Sequence, residues 1–256
     1  YFSILHTATQ YARNSFFGGL MPWEREKRSP DKGDNANEEG NKNEHERDFL
    51  EDQMKRIGLQ SKSMKYLKIL NADFERKILE DFNQHKNNDL LVIVYNFIDI
   101  LSHAKTDNHI VDQLIRDDKT FRSLTYSWFE NSSILKIIKL AAENGFKLAI
   151  TTDHGMVYVK KPSQVVGDRE TSTNIRYKTG KSLTYDEKDV WAVTNPEKIF
   201  LPKGNLSSKY IFAKNNIFLA YPKNYNHFVN YYKDTYQHGG ISLEEVIIPI
   251  SILEPK

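Results

Sequence analysis

Acids, imidazoles and hydroxyls recur in this chain at places where a fold could gather them. The densest group is Thr151-Thr152-Asp153-His154-Gly155, which closes the apolar run Leu148 to Ile150. A second apolar run, from Asp89 to Asp99, ends in Asn96 and Asp99, and His103 follows Asp99 by four residues. A third group opens with His238 and runs through Gly239-Gly240-Ile241-Ser242-Leu243-Glu244-Glu245. A carboxylate oxygen beside an imidazole nitrogen is a donor pair suited to Zn²⁺ or Mn²⁺. On a helical turn, the spacing of Asp99 and His103 sets both on one face. Asp153-His154-Gly155 can also be read as an ordinary surface turn, in which Gly155 lets the backbone turn sharply. Two run ends that both carry Asp and His weigh against coincidence.

Hydroxyls form the second kind of chemistry. Thr7 and Thr9 fall between a strand-like segment, Tyr1 to Leu5, and a helix-like one, Gln10 to Phe17, stopped by Gly18-Gly19. Backbone amides and the helix dipole favour an anion such as phosphate at that junction. A purely structural N-cap threonine is the alternative there. Arg169, Arg176, Lys178 and Lys181 cluster around Gly180 within the polar stretch Gly167 to Lys188. They could contact phosphates, or form a solvated loop.

These residues need strands that end where helices begin. Ser133 to Glu143 has helical periodicity, Asn144-Gly145 stops it, and Leu148 to Ile150 then reads as a buried strand. Sites in open parallel sheets lie beyond the carboxyl ends of the strands. The expected fold is therefore α/β: a mostly parallel central sheet from strands near Tyr1, Leu90, Leu148 and Val246, flanked by helices. Met64 to Gln84 is expected to be one amphipathic helix, and Phe49 to Ile57 another. Amphipathic segments are expected over Asp112 to Phe121 and Ser123 to Phe129. Short strands at Val157 to Val159, Val190 to Val193, Ile199 to Leu201, Tyr210 to Ala213 and Ile217 to Tyr221 suggest a small antiparallel cap within 155–236. A short helix after His238 and a closing strand from Val246 to Ile250 complete the reading. Residues 20–62 read as a polar mobile insertion, from Trp23 to about Arg47, followed by a helix; the insertion is too poor in apolar residues to bury a core.

Composition narrows the function classes. The 256 residues are 39% hydrophobic and 12% aromatic, with a formal charge of +2. That balance supplies no global argument for nucleic acid or membrane binding. The absence of cysteine excludes disulfides, thiolate metal sites and thiol nucleophiles, and fits a reducing cytoplasm. No apolar run approaches the roughly 18 residues of a membrane span. The start at Tyr1 is read as an N-terminal truncation.

The ordered series Thr9, Asp99 with His103, Asp153-His154-Gly155 and His238 resembles the alkaline phosphatase superfamily, specifically its PglZ domain. Thr7 to Asn14, Tyr95 to Asp99 and His238 to Glu245 look closest to PorX-type response regulators of type IX secretion. The resemblance covers most of residues 1–256 and weakens in the insertion. It implies Thr9 as the nucleophile, since Gly19 follows it at the family's offset with Pro22 beyond. It also implies two zinc ions, one held by Asp99, His103 and His238, the other by Asp153, His154 and Thr9. Asn96 and Arg176 would bind substrate. The family's remaining aspartate ligand lies upstream of the nucleophile and has no counterpart here. The implied activity is zinc-dependent hydrolysis of a phosphodiester, on an oligonucleotide or cyclic oligonucleotide. The implied setting is cytoplasmic, with a receiver domain upstream, a sensor histidine kinase, and a sigma factor or secretion components as partners. It includes no membrane, and a homodimer is among the assemblies it allows. A non-catalytic, zinc-stabilised signalling module and, further off, a phosphomutase are the competing readings.

Overall fold

The computed structural model describes residues 1–32, 44–69, 71–107, 115, 117–168, 172–203 and 207–255, with the backbone alone at 72 and 103–107. In chain order the first helices are α1 (Thr9–Gly18), α2 (Pro22–Arg28) and α3 (Glu46–Arg56). Next come β1 (Met64–Ile69), α4 (Ala72–Glu80), β2 (Leu90–Tyr95), α5 (Phe97–Asp107), α6 (Asp118–Asn131), α7 (Ser133–Glu143) and β3 (Leu148–Thr151). Short strands follow as β4 (Val157–Val159), β5 (Lys161–Gln164), β6 (Tyr177–Gly180), β7 (Val190–Val193), β8 (Lys209–Ala213) and β9 (Ile217–Ala220). The chain closes with α8 (Tyr225–Tyr232), β10 (Thr235–Gln237), α9 (Leu243–Val246) and β11 (Ile250–Leu253). These elements form two compact units, Tyr1–Ile57 with Thr152–Ile248, and Gly58–Thr151 with Pro249–Lys256.

The first unit is built around β8. Its side chains alternate by the period of a strand: Tyr210 and Phe212 pack with Ala8, Tyr11, Tyr177, Val193 and Leu201, while Ile211 and Ala213 pack with Val165, Leu183, Val190, Ile217 and Leu219. All four are at most 3% exposed, as a strand buried on both faces requires. β6 and β7 flank β8 in antiparallel register, giving the small antiparallel element expected from the sequence. β5 pairs with β9 in parallel, and β4 with β10 antiparallel. The expected strand at Tyr1 to Leu5 reduces to one bridge, Phe2 to Ile247, closed by Ser3 N–H donating to the Val246 carbonyl at 2.7 Å. Ile199 to Leu201 is not a strand: Pro196–Ile199 is a 3₁₀ turn, started by a proline with no N–H for a ladder. Within the expected insertion, residues 22–28 are helical. Pro22 opens that helix and Glu24 accepts the Met21 N–H at 2.9 Å, a local signal that outweighs the polar composition. The rest of that expectation, over 33–43, lies outside the described residues.

In the second unit, β1 and β2 run parallel, Met64 opposite Leu90 through Ile69 opposite Tyr95. Leu67, Ile69, Ile78, Phe82, Ile137 and Ala141 form its core, with Leu91, Ile93 and Leu148 packed on it. The single helix expected over Met64 to Gln84 is a strand and a helix. Asn71 divides them by capping α4, its side chain accepting the Phe74 N–H at 2.9 Å. Asp117 caps α6 by accepting the Thr120 N–H at 2.8 Å. The amphipathic segment expected to start at Asp112 lies outside the described residues up to 114. β3 differs from the buried parallel strand expected of it. It pairs antiparallel with β11, and Ile150 is 40% exposed. A four-residue apolar run suits either orientation, so periodicity alone does not choose. The fold is α/β in content, but its described strands form small separate sheets, not one parallel central sheet.

Candidate active site

α1 sets the first side chain of the site. Its N-cap is Ala8, which contributes no side-chain bond, and Thr9 is the first helical residue. The Thr9 hydroxyl is therefore not spent on the helix end. It lies 3.1 Å from His154 Nε2. Thr7 has the structural role instead. Fully buried, it donates its hydroxyl to the Gly240 carbonyl at 3.0 Å and accepts the Gly239 N–H at 3.0 Å.

Asp153 and His154 sit on the loop before β4. The His154 Nδ1–H donates to the Gly155 carbonyl at 2.9 Å, which fixes the tautomer and turns the Nε2 lone pair toward Thr9. Asp153 Oδ2 lies 3.8 Å from that nitrogen and accepts the Arg13 Nε–H at 3.0 Å. Arg13 also faces Glu46, at 3.6 Å. Gly155 is required here for space more than for turning: a Cβ would stand 2.2 Å from the Glu244 carbonyl oxygen. Its N–H donates to the Glu245 carbonyl at 2.8 Å.

His238 follows β10, and its ring stacks on that of His154 with centroids 4.0 Å apart. Its Nδ1–H donates to the Thr7 carbonyl at 3.2 Å, which makes Nε2 the ring nitrogen that carries the lone pair. One nitrogen from each ring lies within 4.8 Å of the other. Within the first unit, His154 thus has a hydroxyl, a carboxylate oxygen and a second imidazole close by. This donor set fits a divalent zinc. Behind the loop, His6 is fully buried among Tyr11, Tyr177, Tyr210 and Phe212, with ring centroids 4.1 to 6.0 Å away. Burial pushes its imidazole down to about 3, against the opposing pull of the Gly239 carbonyl and the charge of Glu245.

Asn96, Asp99 and His103 belong to the second unit. Asn96 accepts the Ile100 N–H at 2.9 Å through its carbonyl, at the start of α5. Asp99 lies in the first turn of α5, with its carbonyl accepting from Ser102 Oγ at 2.7 Å. His103 is on the same helix, four positions on. Arg176, expected to bind substrate, is 0% exposed and committed to a bidentate pair with Glu245 at 2.8 and 3.1 Å. A guanidinium so shielded and paired presents no face to a substrate phosphate, so the structure gives Arg176 a structural role. Lys178 is likewise buried, over the Tyr221 ring at 4.1 Å, and burial pushes it down to about 7. Neither a solvated loop nor a phosphate patch describes these two; Lys181 is exposed, and Arg169 lies outside the described residues.

Two residues, Arg13 and Glu245, escaped the sequence reading as parts of the site, and Thr7 entered it as a hydroxyl at an anion site, not as a structural tie. Arg13 stands one turn after Thr9, and that spacing was the available signal. Glu245 and Thr7 hold loops through partners far along the chain, for which the sequence holds no local sign. No match to a curated protein is found. No helix among the described residues is long and apolar enough to cross a membrane. Residues 1–252 match the model of the BREX system PglZ alkaline phosphatase-like domain, and the chain belongs to that family.

Proposed function

We propose that this domain is a zinc-dependent phosphodiesterase or phosphatase whose nucleophile is Thr9. Membership in an alkaline phosphatase-like family points to phosphoester hydrolysis as the reaction class. The observation that carries the finer reading is the Thr9 hydroxyl, uncommitted to capping and 3.1 Å from a His154 Nε2 whose tautomer is set from behind. Asp153, His154 and Thr9 would hold one zinc, and Asp99, His103 and His238 the other. Zinc bound to such donors lowers the pKa of a coordinated hydroxyl and offsets charge on phosphoryl oxygens.

The chain's own residues supply the rest. α1 directs its N-terminal end, which carries no acidic side chain in the first turn, toward the place where Thr9 would meet a phosphoryl group. Thr9 Oγ1 would form a bond to phosphorus as the ester oxygen leaves with a proton. Water would then cleave the threonyl-phosphate ester, returning the hydroxyl and releasing the phosphate product. Arg13 holds Asp153 in place and brings a cation to the loop. Substrate class, signalling setting and partners rest on the likeness of Thr7 to Asn14, Tyr95 to Asp99 and His238 to Glu245 to PorX-type regulators. On that likeness the substrate is an oligonucleotide or cyclic-oligonucleotide phosphodiester. The domain is then the output of a cytoplasmic two-component regulator of type IX secretion.

The competing reading is a non-catalytic, zinc-stabilised signalling module that acts through partner binding. The two are separated by following p-nitrophenol release from bis(p-nitrophenyl) phosphate, using dialysed protein with zinc added back. Turnover that rises with zinc supports the hydrolase. Zinc bound without turnover supports the module, and neither binding nor turnover overturns both.

A further inference from the structure

The segment that leads into Thr9 and the loops that carry His154 and His238 are joined by a circuit of hydrogen bonds, and Glu245 is its junction. Glu245 is 0% exposed and sits at the third position of α9, after the N-cap Ser242. Its Oε1 accepts the Gly240 N–H at 2.8 Å, which ties it to the loop of His238. Its backbone carbonyl accepts the Gly155 N–H at 2.8 Å, which ties it to the loop of His154. Thr7 closes the circuit: its N–H and its hydroxyl both donate to the Gly240 carbonyl, two residues before Thr9.

The junction leaves little play. Glu245 Oε2 accepts the Ser242 N–H at 2.9 Å and the Ser242 hydroxyl at 2.7 Å, while Arg176 grips both carboxylate oxygens. Arg176 is itself anchored by donating to the Ile217 carbonyl on β9. Burial alone would push the Glu245 carboxyl up, but the bonds and charge of Arg176 hold it below the ordinary range, so it stays ionised. Both approaches need glycine: a Cβ on Gly240 would lie 2.8 Å from Glu245 Oε2, and one on Gly155 2.2 Å from the Glu244 carbonyl. A capping box alone asks only for the Ser242 bonds. The further bonds to Gly240, Gly155 and Arg176 are what register two separate histidine loops against each other.

We infer that Glu245, braced by Arg176, is a positioning residue that fixes His154 against His238 and so sets the geometry of the site. This deepens the proposed function and rests on it for its catalytic consequence, though not for the geometry itself. An outer partner of this kind is worth about 10- to 100-fold in metal affinity or activity.

The test uses the full chain with Glu245→Gln, which keeps the shape and one acceptor but loses the charge. Arg176→Lys serves as the second variant if the first unfolds. Imidazole nitrogen and carbon resonances of His154 and His238 are recorded metal-free, followed by zinc affinity, kcat and KM on bis(p-nitrophenyl) phosphate. Folding is checked by urea unfolding. The expected result is a folded variant whose two imidazoles lose their mutual ring-current shifts. Zinc binding then weakens about 10- to 100-fold, with kcat falling more than KM changes. Unchanged imidazole resonances in a folded variant overturn the inference, whatever the activity. If wild type neither binds zinc nor turns over substrate, the proposed function fails. The metal-free resonances still decide this one, shifted signals supporting it and unshifted ones refuting it.

Discussion

His6 makes the fold sensitive to acid in a way that can be worked out from its surroundings. The ring is fully buried, donates Nδ1–H to the Gly239 carbonyl at 3.1 Å, and its Nε2 has no hydrogen-bond partner among the described residues. A proton on that nitrogen would be an uncompensated buried charge. Burial therefore takes the group from 6.5 in the unfolded chain to about 3 in the fold. A depressed base contributes stability that is complete above 6.5 and is lost as the pH falls from there toward 3, because only the unfolded chain takes up the proton. At pH 5 the shortfall is 1.5 pH units below the unfolded value, or about 2 kcal/mol at 1.36 kcal/mol per unit. The assay is urea unfolding at pH 8 and pH 5, followed by Trp23 and Trp191 in a Trp128→Phe background. His6→Gln, which keeps a donor for Gly239, is run beside it. Each protein is compared only with itself, so the cost of the substitution cancels and the other histidines contribute equally. The variant should lose about 2 kcal/mol less between the two pH values than the parent. Equal losses in both would refute the reasoning.

Other expectations follow from the same contacts. Gly155→Ala must displace the Glu244 carbonyl from 2.2 Å, and should cost about 1–3 kcal/mol in urea unfolding; an unchanged midpoint would contradict the close approach. Phe212→Ala, fully buried on β8, should cost about 3–5 kcal/mol by the same assay. Lys178 is held near 7 by burial, so the fold gains stability as the pH rises from 7 toward the unfolded 10.5; Lys178→Met should flatten that rise. His103→Ala should lower zinc per chain, by elemental analysis, while circular dichroism stays that of a folded protein; equal zinc in both would remove His103 from the ligand set.

What the sequence made legible followed from local signals. Ser133–Glu143 was readable to the residue, because its periodicity is strong and Asn144-Gly145 ends it. Val190–Val193 and the apolar body of β2 were readable because β-rich runs are bounded by polar residues. The strand at Met64–Ile69 was lost inside a helical pattern, since Tyr66, Leu67 and Phe74 also suit a helical face. Asn71, a strong cap followed by Asp73, marked the break. At the site, only the family resemblance grouped Thr9 with His154, and the two stand 3.1 Å apart. Arg176 was misread because its partner Glu245 lies 69 residues away, and a lone arginine in a basic stretch looks free. Thr7 owes its structural role to Gly239 and Gly240, more than 230 residues downstream, so nothing local announced it; Thr9 was separated from it only by the family's offset to Gly19.

Thr9 carries the proposed chemistry. The decisive measurement is the rate of zinc-dependent bis(p-nitrophenyl) phosphate hydrolysis by Thr9→Val beside the parent, with zinc per chain measured on the same samples. We expect a loss of about 10³-fold or more in kcat, with the fold retained and zinc still bound by the remaining ligands. A Thr9→Val protein that keeps the parent's rate would contradict the nucleophile and the mechanism built on it.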